Sequence, residues 1–524
     1  MNKKIFLSLF IIVLSLVGLI DAGYLSFQRA AGIIPPCIPG FQCETVLRSP
    51  YANIGPIPLS VLGLVYYGIV FVLAVLVYLE KPLPAFMGRL RRAGASASDI
   101  LRAVTIFGLF FSIYLLTLMA FIISAWCTYC LISALTCLLL FFATGWYVKE
   151  ERVGESYYLK GIVLTVGQWV YHILAKPLFF LFDPEQVHNT MVWAGSLAGA
   201  NPVLRWFLSS ILGFQTPATR VQCAGISFPN TVGLSAGYDY NGDLTGTLGS
   251  VGFGWHTIGT ITLDPYEGNT LPRLTRFPLS KSILVNKGLK NIGARAVIQK
   301  LAGRAFEIPT GISIASTNKA FASDTEQIMD IAECFVLFEK SNVRHVFYEL
   351  NISCPNTHGG EPFTTAKRLE TLLRVLDRIV SKPIFVKMPI DLPDDVFMSL
   401  LKVCDRHHIA GVILGNLTKD KTNPDVDESE RAKWKTMPGN LSGKPTFQRS
   451  NRLIKMTDSA YGKRFIIVGT GGIFTAKDAE IKRQAGADLV QLITGMIYEG
   501  PQLIGQINRL HAVPDPEKHS LAHN

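Results

Sequence analysis

The chain has 524 residues, of which 49% are hydrophobic and 17% charged, and a formal net charge of +11. This exceeds the usual length of one domain, and the composition is divided: residues 1–150 are mostly apolar, whereas about 215–515 read like an ordinary soluble protein. No basic stripe interleaved with aromatic residues and no nucleic-acid motif is present, so nucleic acid is not an expected partner.

Apolar runs lie near 5–20, 60–79, 103–124 and 129–147. Each approaches the roughly 20 residues that a helix needs to cross a bilayer. The opening "MNKK" and the apolar stretch after it could be a secretory signal, but "LSLVGLIDAGYLS" lacks a clear small-x-small cleavage site, so a retained span is expected. The expectation for residues 1–150 is therefore an all-α, four-helix transmembrane bundle. Lys3 and Lys4 precede the first run, Lys81, Arg89, Arg91, Arg92 and Arg102 follow the second, and Lys149, Glu150, Glu151 and Arg152 follow the fourth. The excess of Lys and Arg puts these segments on the cytoplasmic side and the 21–59 loop and the turn near 125 on the outer face.

Of nine cysteines, Cys37 and Cys43 fall in that outer loop, and Cys127 and Cys130 at the outer end of the fourth span. Four thiols on an oxidising face suit disulfide chemistry. Zinc is the competing use of four cysteines, but one pair sits in a loop and the other at a membrane rim. Cys37 and Cys43 could also form a structural disulfide, and Cys137, two turns deeper, reads as helix packing. A thiolate at the start of a helix is stabilised by the positive end of the dipole, which favours a reactive Cys127/Cys130 pair.

"CIPGFQC", then "ETVLRSPYANIGPIPLSVLGLVYYG", then "CTYC" on a fourth span resembles the bacterial vitamin K epoxide reductase family over about residues 5–147. The resemblance implies that Cys127 and Cys130 form the active-site pair beside a quinone and that Cys37 and Cys43 shuttle electrons from a periplasmic dithiol. It also implies that Ser49 lies near the quinone, where the alternative is a plain loop serine. A fused thioredoxin-like partner, common in that family, is not found, so a separate thioredoxin-like or DsbA-like periplasmic protein is the expected dithiol donor.

Residues 151–220 are apolar and aromatic but broken by His172, Lys176, Pro177 and Asp183. Amphipathic helices lying in the membrane interface fit better than a fifth span. A helical hairpin capping the next domain is the plainer reading, and both can hold.

From 221 to 515, short β-branched runs alternate with helical stretches: "TVGLSA", "HTIGTI", "GISIAS", "VFYELN", "IFVKMP", "GVILGN", "FIIVGT" and "LVQLIT". Eight such repeats predict an α/β TIM (β/α)8 barrel, whose chemistry belongs at the C-terminal ends of the strands. Asn351, Lys387 and Asn416 stand at those ends, and "GTGGI" and "ITG" end the last two strands, where backbone N–H groups hold phosphate in many barrels.

The motifs "GLSAGYDYNGD", "GTITLDPYEGNTLPRLTR", "LNISCPNTHGG", "FVKMPIDL", "NLSGKP", "GTGGIFTAKDA" and "ITGMIYEGP" resemble the class 2, quinone-linked dihydroorotate dehydrogenases over about 165–512. The resemblance implies FMN held by Ala236, Gly237, Thr260, Ser313, Asn351, Lys387, Gly415, Gly443, Gly472 and Thr494. It implies a substrate read by Asn286, Asn351, Asn356 and Asn416, Cys354 as catalytic base, and a quinone (ubiquinone or menaquinone) reached past His188 and Arg276. The pattern departs in four places. Cys354 replaces the usual serine, Tyr240 stands where a lysine is expected, Leu417 replaces a hydroxyl residue, and Ile493 replaces a tyrosine. Lys287 or Lys290, in a loop one residue shorter than usual, would make up the missing cation. The expectation is a membrane-bound oxidoreductase whose two modules both reduce quinone. The alternatives are an FMN barrel with another small substrate, or a non-catalytic membrane scaffold.

Overall fold

The computed structural model describes residues 3–79, 97–151 and 157–512. Lys81, Arg89, Arg91, Arg92 and Arg152, on which the expected orientation partly rests, lie outside those residues. The chain divides into two compact units, Met1–Ile162 and Val163–Asn524.

In the first unit, α1 (Lys3–Ala30), α2 (Leu59–Tyr78), α3 (Ala97–Thr117) and α4 (Thr128–Glu151) pack around one apolar core. Ile11, Val70, Leu101 and Leu140 are each buried there, and Gly18 leaves room for the ring of Tyr67. The Tyr67 hydroxyl donates to the Ser133 carbonyl at 2.9 Å and lies 3.3 Å from Cys137 Sγ, so Cys137 sits in the bundle core. α1 runs ten residues past the apolar stretch that predicts it, and the outer loop expected at 21–59 begins only after Ala30. The reason is local: "DAGYLSFQRA" has no proline, and the helix stops only near Gly32, which takes φ +69°. Asp21 is consequently a helical residue of the bundle.

In the second unit, eight parallel strands close a barrel: β1 (Val232–Leu234), β2 (Trp255–Ile261), β3 (Thr310–Ile314), β4 (Phe347–Asn351), β5 (Ile384–Met388), β6 (Ile409–Leu414), β7 (Ile466–Thr470) and β8 (Leu489–Leu492). All eight predicted runs are barrel strands, in sequence order around the cylinder. Strands of this kind bury both faces, which is why they read as near-continuous apolar runs. Trp255, Phe347, Phe385, Ile413, Val468 and Leu489 plug the N-terminal end of the barrel. The hairpin Val221–Cys223/Ile226–Phe228 packs Phe228 against that plug. A larger core fills the space between the strands and the outer helices. With its lower end filled, the barrel has only its upper end for a ligand.

Ahead of the barrel, residues Tyr157–Leu181 form one helical run interrupted by a π turn at Tyr171–Ala175, followed by helices Pro184–Ala200 and Pro202–Ile211. Asp183 and Asn201 cap the last two, each accepting from two backbone N–H groups just beyond a proline. Among the described residues, five helices are long and apolar enough to cross a membrane, the four of the bundle and Lys160–Leu181. That fifth helix is tied to the barrel unit by polar contacts. Tyr171 donates to the Ile497 carbonyl at 2.7 Å, and His172 Nε2 lies 3.0 Å from Glu499. The extension keeps Trp169, Leu174, Leu181 and Trp193 exposed.

Candidate functional sites

At the C-terminal ends of the barrel strands lies a cavity with roughly 1230 Å³ of empty space, mouth included. Its wall carries Ala236, Gly237, Thr260, Asn351, Cys354, Asn356, Lys387, Gly415, Asn416, Gly443, Gly472, Thr494 and, from the extension, His188. Three predicted residues are not on this wall. Ser313 lies beneath it, Asn286 is turned toward Asn269, and Arg276 donates to the Phe182 carbonyl at 2.7 Å while lying over the Phe180 ring.

A continuous polar chain crosses the barrel under the cavity. Asn351 Nδ2 donates to Thr260 Oγ1 at 2.8 Å, Thr260 meets the Ser313 hydroxyl at 2.9 Å, and Ser313 donates to Glu349 Oε1 at 2.8 Å. Lys387 Nζ lies 3.6 Å from the same Glu349 oxygen and 3.4 Å from Ser235 Oγ. Both side chains are buried, and a buried ammonium needs such a counter-charge. Glu349 is absent from the sequence-based set, yet the two-residue period of a strand puts it on the same face as Asn351.

The predicted amides are held by other side chains and by backbone. Asn356 donates to the Val285 carbonyl at 2.8 Å and accepts from Asn440 at 2.7 Å, and Asn269 donates to Asn286 at 2.9 Å. Asn440 and Asn269 are orienting residues the sequence did not disclose. Asn416 donates to Ser353 Oγ at 2.8 Å, which fixes it beside Cys354. Burial pushes the Cys354 thiol up to about 11, against the pull of the Asn356 N–H and the Lys387 charge. His188 packs on Tyr238 and Tyr240, with ring centroids 4.8 and 5.3 Å apart. Burial, helped by the Lys287 charge, holds it down to about 4, so it is a neutral imidazole near pH 7.

Gly471 and Gly472 follow β7 at φ +90° and +72°. A Cβ on either would strike Thr446 or Phe447, so the turn that brings their backbone to the cavity requires glycine.

In the first unit, the loop bearing Cys37 and Cys43 lies against the start of α4. Gln42 N–H donates to the Trp126 carbonyl at 2.8 Å, Tyr129 donates to the Pro36 carbonyl at 2.7 Å, and Cys37 Sγ lies 3.6 Å from Thr128 Oγ1. Cys37 and Cys43 form a disulfide, while Cys127 and Cys130 are free thiols. All four belong to one small apolar cluster with Val46, Met119 and Ala125. With two of the four sulfurs joined, a four-thiolate zinc site is not formed. Next to the free pair is a cavity with roughly 1820 Å³ of empty space, mouth included, lined by Cys130, Ser49, Asp21, Arg29, Met119 and mostly apolar neighbours. Ser49 donates to the Val46 carbonyl at 2.8 Å, at the end of the short helix Cys43–Leu47, while lining the cavity.

Two families match the chain, one in each unit. The family described as Dihydroorotate dehydrogenase matches residues 218–511. The chain belongs to the dihydroorotate dehydrogenase family. The Vitamin K epoxide reductase family matches residues 9–144, so the molecule is a fusion of the two. A Gloeobacter violaceus protein named dihydroorotate dehydrogenase (quinone) is 35% identical over 336 residues, covering 64% of this chain and 92% of that protein. A Corynebacterium diphtheriae protein of the same name is 32% identical over 337 residues, covering 64% and 91%. A crystal structure of DHODH in complex with ferulenol from Eimeria tenella aligns at TM-score 0.53 and 23% identity, over 62% of this chain and 90% of that one, and shares the barrel fold. Within this family frame, Tyr240, Leu417 and Ile493 all stand on the cavity wall. The departures from the family pattern are therefore changes to the site itself.

Proposed function

We propose that the barrel oxidises dihydroorotate to orotate with quinone as acceptor, and that the bundle oxidises protein dithiols with quinone as acceptor. The observation that carries the first half is the cavity wall, where a thiol, three amides and a buried ammonium meet at the strand ends. FMN fits this site. The glycine turn 471–472 with Gly443 and Thr494 would hold its phosphate, and Ala236, Gly237, Thr260, Asn351 and Lys387 its ring. When bound, FMN supplies hydride acceptance and electron transfer to quinone. The chain supplies the rest. Cys354 takes a proton from the substrate, Asn351, Asn356 and Asn416 read its ring, and Lys387 offers positive charge where negative charge develops. His188 and the exposed apolar extension give a lipid-soluble quinone a way to the barrel from a membrane surface.

For the bundle, the support is the docking of the Cys37–Cys43 loop on the Cys127–Cys130 pair beside a mostly apolar cavity. A partner dithiol reduces the Cys37–Cys43 disulfide, that pair reduces a Cys127–Cys130 disulfide, and the resulting thiols pass two electrons and two protons to quinone. The Lys and Arg pattern supports placing the cysteines on the periplasmic face of a bacterial inner membrane and the barrel on the cytoplasmic face. The two modules are then parallel donors to one quinone pool.

The decisive experiment is anaerobic addition of L-dihydroorotate to the purified FMN-loaded chain. The flavin absorbance is expected to bleach and to recover on adding quinone. Absence of bleaching favours the other reading, a different small substrate, which Tyr240 and Leu417 on the wall motivate. Gly472→Ala places a side chain at a positive φ and against Phe447. It is expected to weaken FMN retention by about tenfold or more, read by flavin fluorescence on dilution.

A further inference from the structure

The barrel cavity is lined by two ammonium groups, Lys387 and Lys287, and by no carboxylate among its lining residues. Lys387 has its own counter-ion inside the barrel, Glu349. Lys287 is held differently. Its Nζ lies 2.8 Å from Glu185 Oε1 on the extension helix and 4.9 Å from the centre of the Tyr240 ring, with the side chain 6% exposed. The same Glu185 oxygen also meets Arg273 at 3.3 Å and Lys290 at 3.5 Å. One carboxylate therefore faces three cations and cannot neutralise them. Lys287 is the surplus cation that reaches the cavity; Lys290 is not on the wall and is one-third exposed.

A buried charge can exchange partners only if neither group is left alone. If Lys287 turns to a ligand, Glu185 keeps Arg273 and Lys290, so the exchange leaves no orphaned carboxylate. The Tyr240 ring face supports the ammonium on its other side without competing as an anion. We infer that Lys287 is the specificity-determining cation of the barrel, held by Glu185 and Tyr240 to receive the carboxylate of a small planar acid. This rests on the dihydroorotate reading and names the residue that recognises the substrate's charge. It also makes the Tyr240 departure intelligible: the cation comes from the loop after residue 285 and stands on the tyrosine.

The test is titration of the FMN-loaded chain with orotate and with orotamide, which keeps the ring and lacks the charge, read by the flavin difference spectrum. Lys287→Met is expected to weaken orotate binding by about tenfold or more and orotamide binding by less than about twofold; Lys287→Arg keeps orotate within about threefold. Glu185→Gln, which removes the competing anion, is expected to tighten orotate; it decides the matter if Lys287→Met yields no flavin-loaded protein. Equal orotate affinity in Lys287→Met and wild type overturns the inference, as does equal loss of orotate and orotamide, which marks a merely structural lysine. Wild-type flavin that dihydroorotate fails to bleach overturns the underlying reading instead.

Discussion

Replacing Cys354 with alanine is expected to slow anaerobic bleaching of the flavin by dihydroorotate about 10²–10⁴-fold, the usual worth of a positioned general base. FMN content and orotate binding should stay near wild type, because the thiol is not needed to hold either. The wild-type pH profile carries a further expectation. Burial raises the thiol to about 11, so the thiolate is the minor form at neutral pH. Below that value its fraction grows tenfold per pH unit, and the bleaching rate should climb with that slope from pH 6 to 10. The alanine variant should lose the slope. A variant with wild-type rate and slope would remove Cys354 from the chemistry and leave it a small buried thiol.

The second large effect belongs to the other unit. Cys130→Ala is expected to lower quinone reduction by dithiothreitol at least about 10²-fold, since the exchange needs both sulfurs of the Cys127–Cys130 pair. Dihydroorotate-driven quinone reduction in the same preparation should be unchanged, because Cys130 lines only the bundle cavity. Cys43→Ala should behave otherwise. The Cys37–Cys43 disulfide is the expected entry for a protein dithiol, whereas a small dithiol can reach the inner pair directly. That variant should lose activity with a thioredoxin-like donor and keep most of it with dithiothreitol. If Cys130→Ala still reduces quinone with either donor, the bundle is not a thiol:quinone oxidoreductase.

The barrel was legible because its strands bury both faces, so β-branched runs stand out between turn-forming glycines and helical stretches. The wall residues followed from that reading, since Asn351, Lys387 and Asn416 end their strands. Glu349 escaped because an acid inside "VFYELN" looks like an interruption; only the two-residue period reveals that it points inward. Lys287 stood with Lys290 as a candidate cation, but its pairing with Glu185 was beyond reach for another reason. The two are 102 residues apart, and no local pattern couples a loop lysine to the first turn of a distant helix. Asn269 and Asn440, which orient the predicted amides, are invisible on the same ground. In the bundle, hydropathy located the four helices but misjudged the end of α1, because backbone hydrogen bonding continues through polar residues until Gly32 breaks it.

Each unit of the chain has a core of its own, one around Tyr67 and Ile11, the other around the barrel strands. Translation of a single message therefore delivers one vitamin K epoxide reductase-family module for every dihydroorotate dehydrogenase-family one. The ratio of the two modules is set by covalent linkage, and transcription cannot tune it.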